Sequence, residues 1–252
     1  MRVFMGLAIA LLAPLSIAQT TIRVQTEGHV AHAATLSLPD TARYADAALA
    51  ASPGSDAYVL GASLRRDSLI ESQTRMRAGA VYDLEEIARR AAKREDDRTM
   101  DAAMKMAAWV RALPVTGRQV AALDPRVVEV SPKANLPLHD GDILHYPARP
   151  STVRIVGAVA RACGLPFEPM RDARDYLADC PSKGVADNDT YYVIQADGSI
   201  SRQGRALWNR SAPLALAPGA VIYVPLKVSL THDVDPDLDR ELAEFLATQV
   251  IE

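Results

Sequence analysis

A ten-residue pattern that occurs twice places the strongest constraint on how this chain folds. LHDGDILHYP, from Leu138 to Pro147, and LAPGAVIYVP, from Leu216 to Pro225, share a leucine, a glycine, an apolar residue and a proline at an offset of 78 residues. In each copy a glycine that can adopt positive φ precedes a short apolar run, and a proline, which has no N–H to donate, ends it. The pattern predicts a tight turn and a closing strand in each of two related units.

The starts of the two units are separated by a larger offset. TIRV begins at Thr21 and TVRI at Thr152, an offset of 131 residues, and Ala42 and Ala173 show the same offset. The two offsets differ by 53 residues, so we expect an insertion of about that size inside the first unit.

The predicted insertion covers about residues 64–124 and contains two apolar stripes at helical spacing. We expect two helices, separated by the polar residues Lys93–Arg98 and ended by Pro114. A helical hairpin is therefore predicted inside the first unit. The stripes consist of Val81, Leu84, Ala88 and Ala91 in the first helix and of Met100, Ala103, Met104, Ala107 and Val110 in the second.

The second unit shows the order of elements most clearly. A strand over Val153–Ala160, a turn around Gly164–Pro166, a short helix near Ala173–Ala178 and a hairpin at Asp197-Gly198 precede the closing strand. This order is typical of a small β-grasp unit. The predicted fold is thus α+β, with β-grasp domains over residues 19–148 and 149–229.

The N-terminal residues 1–18 have the pattern of a cleavable secretory signal peptide. Arg2 is followed by a short apolar run, and small residues precede a cleavage point after Ala18. The alternative is a buried N-terminal helix. No cysteine follows the cleavage point, so we expect an exported protein without a lipid anchor.

Composition and cysteine content narrow the class of protein. With 49% apolar residues, 23% charged residues and a net charge of -3, the chain suits a folded protein and lacks the basic surplus of nucleic-acid binders. Cys163 and Cys180 are the two cysteines. They could form a disulfide in an oxidising compartment or remain two buried thiols.

The C-terminal segment, residues 234–252, predicts an amphipathic helix. Asp235 is a candidate N-cap and Pro236 a candidate first-turn residue. The apolar side could dock on its own domain, on a partner or on a membrane surface, although Arg240 is its single basic residue and surface helices usually carry several. The docking residues are Leu238, Leu242, Phe245 and Leu246.

Two groups of residues are candidates for ligand binding. Arg118, with Thr116 and Gly117, follows the insertion, and its guanidinium could bind a carboxylate such as that of an acidic sugar. The alternative is that Arg118 holds the hairpin to the sheet through backbone carbonyls. Trp208, with Arg205 and Arg210, could pack on a sugar ring, although a tryptophan before the last strand is more often in the core.

Motifs for catalysis and metal binding are missing from the sequence. There is no HExxH, GxSxG, P-loop or dinucleotide fingerprint. His29 and His32 lie in a probable strand and turn, where side chains three residues apart point to opposite faces. Leu238 stands where an EF-hand loop starting at Asp233 needs glycine. We expect no catalytic residues, metal or cofactor.

The whole layout resembles the GfcC family of capsule-biosynthesis proteins. VRIVGAVARACGLPFEPMRDARDYLADC, YYVIQADGSI, Trp208 and LAPGAVIYVP are similar to an SLBB domain, the β-grasp unit of polysaccharide export proteins. PVTGR, NLPLHDGDILHYPARP and the VRIVGAV start resemble landmarks of the GfcC family.

The resemblance implies a non-catalytic, periplasmic accessory protein for surface polysaccharide in a Gram-negative bacterium. Its expected partners are the polysaccharide, the outer-membrane export channel, or both, and direct membrane contact stays open. The alternative function is a periplasmic glycan-modifying enzyme.

Overall fold

The computed structural model describes residues 20–251 and shows a mixed α+β fold with two five-stranded mixed sheets. The predicted α+β class is confirmed. The predicted signal peptide, residues 1–18, lies outside the described residues. Within residues 20–251, no helix has both the length and the apolar character that a membrane crossing requires.

The first sheet is formed by the N-terminal part of the chain. The elements here are β1 (Thr21–Gly28), β2 (Thr35–Pro39), α1 (Tyr44–Ala51), β3 (Ser63–Arg65), α2 (Ile70–Lys93), α3 (Asp97–Ala112), β4 (Arg118–Gln119), α4 (Pro125–Val130) and β5 (Ile143–Tyr146). Short 3-10 turns occupy Val59–Gly61 and Asp67–Leu69. The strand order is β2-β1-β5-β3-β4, with β1 and β5 parallel and the other pairs antiparallel. One face of this sheet shares a core with α1.

The second sheet follows in the C-terminal part of the chain. Its elements are β6 (Thr152–Gly157), β7 (Cys163–Pro166), α5 (Ala173–Ala178), β8 (Thr190–Ile194), β9 (Ile200–Gly204), β10 (Val221–Val224), α6 (Val228–Thr231) and α7 (Leu238–Ala247). The strand order is β7-β6-β10-β8-β9, with β6 and β10 parallel and the other pairs antiparallel.

The two sheets have the same strand order, position by position. The central strands β5 and β10 each pair in parallel with the first strand of their own sheet. Gly141 precedes β5 with φ +86°, and Gly219 precedes β10 with φ +82°. The ten-residue pattern therefore forms a turn and a closing strand in both sheets, as its glycine and apolar positions predict.

The predicted turn around Gly164–Pro166 is wrong. These residues belong to β7, which pairs antiparallel with β6 so that Gly164 faces Arg154. The chain reverses earlier, in the bends between Ala158 and Ala162. Glycine and proline are tolerated here because β7 is an edge strand and Pro166 is its last residue.

The helices α2 and α3 occupy the segment predicted as an insertion, between β3 and β4. They pack on each other and contribute to a hydrophobic core that also contains the second sheet and α7. Met104 was expected in the apolar stripe but is exposed, and Met106 is buried instead. Ala103, Met106 and Val110 follow the i, i+3, i+7 spacing of one helical face, from which Met104 is rotated away.

The last helix, α7, begins later than predicted. Asp237 occupies the position before the helix, and Asp235 accepts a hydrogen bond from the N–H of Asp237 at 2.8 Å. The prediction of Asp235 as N-cap is therefore wrong, and Pro236 lies before the first turn. α7 contacts α2, β8 and β9.

Cys163 and Cys180 are joined by a disulfide. The bond connects the start of β7 to the residue that follows the end of α5 by two positions. Cys180 is fully buried in the hydrophobic core that contains the second sheet, and Cys163 packs at the edge of this core.

Candidate functional site

Arg118, the first predicted binding residue, is buried, with 4% of its surface exposed. Its Nη1 donates hydrogen bonds to the carbonyls of Gln249 at 2.7 Å and Ala247 at 3.3 Å, and its Nη2 donates to the carbonyl of Ala196 at 2.7 Å. Ala247 ends α7, and Ala196 lies in the turn between β8 and β9. The guanidinium therefore connects the first sheet to the turn between β8 and β9 and to the C-terminal end of α7.

Desolvation lowers the pKa of Arg118 to about 10. The guanidinium therefore stays charged at neutral pH. Its positive charge lies at the C-terminal end of α7, where the helix dipole is negative.

The neighbours of Arg118 make contacts of the same kind. The Thr116 hydroxyl donates a hydrogen bond to the carbonyl of Thr248 at 2.6 Å. Gly117 has φ +72°, and a Cβ there would lie 2.5 Å from the carbonyl oxygen of Arg66. All three residues contact the chain's own backbone, so the geometry favours the structural alternative for Arg118 over direct ligand contact.

Trp208 is on the surface, with 77% of the residue exposed, and the alternative of a core tryptophan is wrong. The residue lies in the loop between β9 and β10. Arg205 is half-buried, and its N–H donates to the carbonyl of Asp189 at 2.8 Å. Arg210 is exposed. Neither arginine lines the groove beside Trp208.

The groove beside Trp208 has a volume of about 400 Å³. Its walls come from four separate parts of the chain: the segment leading into β8, the end of β9, the loop after β9 and the start of α6. Because these parts are distant in sequence, no local motif indicated the groove. Its polar and aromatic lining consists of Asp187, Asp189, Thr190, Arg202, Trp208 and Asn209.

Asp187 is the buried charge of the groove, with 4% of its surface exposed. Its Oδ1 accepts hydrogen bonds from the N–H of Asp189 at 2.6 Å and of Thr190 at 2.9 Å. Within residues 20–251 its Oδ2 has no hydrogen-bond partner, and neither Asp189 nor Arg202 forms an ion pair. The groove thus contains acceptors and donors that the described protein leaves available.

Asp239, in the first turn of α7, lies close to two of these charges. Its carboxylate accepts a hydrogen bond from the Tyr223 hydroxyl at 3.1 Å. Burial raises the pKa of Asp239 to about 7, the charge of Asp187 acts in the same direction, and Arg202 acts in the opposite one. An acidic first turn is common in helices, so the sequence did not distinguish this carboxyl from its neighbours.

The four predicted docking residues of the last helix are all at least 95% buried. They belong to the hydrophobic core shared by the second sheet and the α2–α3 hairpin. In the described structure the apolar side of α7 therefore packs within its own chain. These residues are Leu238, Leu242, Phe245 and Leu246.

In the described residues, His29 is paired with a carboxylate. The Nδ1 of His29 lies 2.6 Å from a carboxylate oxygen of Asp56, an exposed pair. In the part of the chain that the structure describes, no group of three histidine, cysteine or carboxylate side chains is placed to hold a metal ion.

Two family models match most of the chain. Residues 18–148 match the model described as "Capsule biosynthesis GfcC, N-terminal". Residues 161–251 match the model described as "Capsule biosynthesis GfcC C-terminal".

A curated relative matches part of the chain. This chain is 33% identical over 141 residues to "Uncharacterized protein YjbG" from Escherichia coli (strain K12). The match covers 56% of this chain and 57% of the relative. It therefore spans little more than half the length of that protein, whose name states no function.

Proposed function

Because this chain belongs to the GfcC family of capsule-biosynthesis proteins, we propose that it is a non-catalytic, periplasmic accessory protein for capsule or exopolysaccharide. It acts by contact with the glycan, with the outer-membrane export channel, or with both. The observation that carries this proposal is the match of both family models, which together cover most of the chain.

The repeated sheet supports a duplicated binding scaffold. Each sheet has a first strand, an edge strand, a short helix and a central closing strand in the same order. We interpret each as a β-grasp unit similar to the SLBB domains of polysaccharide export proteins, with units over residues 19–148 and 149–229. A duplicated scaffold of this kind offers surfaces for a long polymer or for a channel subunit. In the same interpretation, α7 is the amphipathic C-terminal helix of the family.

Two features support a periplasmic location. Residues 1–18 have the sequence pattern of a signal peptide. The disulfide between Cys163 and Cys180 suits an oxidising compartment, since cytosolic thiols are mostly kept reduced.

The test is an in-frame deletion of the gene in the bacterium that produces the protein, followed by measurement of surface polysaccharide. We expect a several-fold loss, which is restored by the full chain. A chain that lacks residues 2–18 should stay in the cytoplasm and fail to restore it. Unchanged polysaccharide in the deletion strain would refute the proposed function.

A second measurement separates contact from catalysis. Purified protein is incubated with polysaccharide isolated from the same bacterium, and the chain length and substituents of the polymer are followed. We expect no change. Shortened chains or lost substituents would instead support a periplasmic glycan-modifying enzyme.

A further inference from the structure

The exposed indole of Trp208 lies on a loop that is firmly held. The N–H of Arg205 and the Nδ2 of Asn209 both donate hydrogen bonds to the carbonyl of Asp189, at 2.8 Å and 3.0 Å. The N–H of Gly204 donates to the Ser211 hydroxyl at 2.9 Å, and the N–H of Ser211 donates to the carbonyl of Gly204 at 3.1 Å. The backbone that carries the aromatic ring is therefore held in place before any ligand arrives, which lowers the entropic cost of binding.

Gly204 is what allows this loop to fold back on β9. A Cβ at Gly204 would lie 1.9 Å from the carbonyl oxygen of Asn209, so only glycine fits. The position of Trp208 follows from this close approach, because Asn209 directly follows it in the chain.

The Asp187 carboxylate of the groove is held in position by the backbone. Two backbone N–H groups hold the Asp187 carboxylate through one oxygen, which leaves its other oxygen without a partner among the described residues. Asp187 as a whole is 96% buried, so this oxygen is held by a fixed side chain and can accept a hydrogen bond from a ligand in the groove. Arg202 and Asp189 add a guanidinium and a second carboxylate to the same groove, and neither forms an ion pair within residues 20–251.

These groups match the chemistry of a sugar. A pyranose ring presents C–H groups on one face, which pack on an aromatic ring, and hydroxyls around its edge, which donate to carboxylates and accept from a guanidinium. The two carboxylates and one guanidinium give the lining a net charge of -1. This charge disfavours acidic sugars, phosphates and nucleic acid, because like charges repel in a partly desolvated site.

We propose that the groove beside Trp208 binds non-acidic, hydroxyl-rich sugar residues, with Trp208 as the stacking platform and Asp187 as the main hydrogen-bond acceptor. This inference rests on the proposed function for its source of ligand, the surface polysaccharide. It places glycan contact on the second sheet and not at Arg118.

The test measures binding of polysaccharide isolated from the producing bacterium, broken into short oligosaccharides, by titration calorimetry and by protection of Trp208 from acrylamide quenching. We expect Trp208→Ala and Asp187→Asn each to weaken binding at least tenfold. Trp208→Tyr, which keeps an aromatic face, should stay within about threefold of the unmodified protein. Leu207→Ala is the matched control, since Leu207 is the adjacent side chain, is 87% exposed and does not line the groove. It should leave affinity unchanged.

Three results would contradict the proposal that this groove binds sugar. They are unchanged affinity in Trp208→Ala, tighter binding of polygalacturonate than of the neutral polymer dextran, or no binding by the unmodified protein. Thermal melts show whether each variant is folded, and Trp208→Tyr tests the ring even if Trp208→Ala does not fold.

The two proposals fail in different ways. If deletion of the gene abolishes surface polysaccharide but the purified protein binds none of it, the proposed sugar site is wrong and the proposed function stands. If the protein binds oligosaccharides through Trp208 but deletion leaves surface polysaccharide unchanged, the proposed function is wrong and the proposed sugar site stands.

Discussion

Arg118 illustrates how a single buried charge can organise parts of a chain that are far apart in sequence. Its guanidinium donates to carbonyls of Ala196, Ala247 and Gln249, which belong to the second sheet's hairpin turn and to the end of the last helix. Each of these bonds has a charged donor, which makes it stronger than a bond between neutral groups. Removal of a buried arginine of this kind should therefore lower the free energy of unfolding more than removal of an exposed arginine.

We predict that Arg118→Ala lowers the free energy of unfolding by about 3 kcal/mol, because buried carbonyls lose a charged donor and a cavity opens. Urea unfolding followed by circular dichroism measures the change. The control is Arg210→Ala, an exposed arginine, which should shift stability by less than about 0.5 kcal/mol. Equal effects of the two substitutions would show that the contacts of Arg118 do not stabilise the fold.

Asp239 gives a second residue-scale prediction, on pH. Its folded-state pKa is raised to about 7 from the ordinary 3.8, chiefly by burial. Below pH 3.8 the carboxyl is protonated in both states. As the pH rises from about 4 to 7, the unfolded chain loses this proton while the folded chain keeps it, so stability falls through this window.

Asp239→Asn removes this loss. We expect the variant to gain about 2–3 kcal/mol more, relative to the unmodified protein, at pH 8 than at pH 5. Urea unfolding at both pH values gives the comparison. Asp237→Asn, the same change at an exposed position of the same helix end, should have a similar effect at both pH values. The opposite sign for Asp239→Asn would mean that its carboxylate is stabilised in the folded protein.

At the scale of elements, the helix α7 shows how a short helix is held in place by its own chain. Its apolar side is buried against α2 and the second sheet, and its C-terminal carbonyls are bonded by Arg118 and Thr116. Both the side chains and the backbone of this helix therefore find their partners inside the chain. A helix of ten residues would be marginal by itself in water, so its stability comes from this docking.

Leu242 tests the docking of α7. It is fully buried, so Leu242→Ala should lower the free energy of unfolding by about 2–5 kcal/mol through lost burial and a residual cavity. Leu49→Ala is the matched control, because Leu49 is a helical leucine that is 83% exposed and should change stability by less than about 0.5 kcal/mol. Calorimetric melting compares the two. A small effect at Leu242 would mean that α7 spends much of its time undocked.

At the scale of the whole molecule, the α2–α3 hairpin joins the two sheets. The hairpin leaves the first sheet after β3 and returns at β4, yet its apolar residues lie in the core of the second sheet. Tyr58 adds a further link, since its hydroxyl donates to the carbonyl of Pro218 at 2.9 Å. The two sheets are therefore packed as one body in which the hairpin supplies much of the shared apolar surface.

The sequence by itself determined the duplicated plan of the fold. The repeated turn and closing strand, the short helices and the position of the hairpin all follow from local patterns, because glycine, proline and apolar spacing act through neighbouring residues. The resemblance carried by the same motifs identified the family. Errors were local as well: Gly164–Pro166 is a strand because pairing with β6 outweighs turn propensity, and Met104 was assigned to the wrong side of its helix.

Only the tertiary structure decided which of the candidate binding residues are accessible to a ligand. It buried Arg118 and exposed Trp208, and it brought Asp187 and Arg202, but neither neighbouring arginine, to the groove beside Trp208. None of these outcomes has a local signal. They depend on which atoms from distant parts of the chain surround a side chain after packing. These surroundings, and not the residue type, decide whether a charged group finds its hydrogen-bond partners within the protein and whether an aromatic ring is buried or exposed to a ligand.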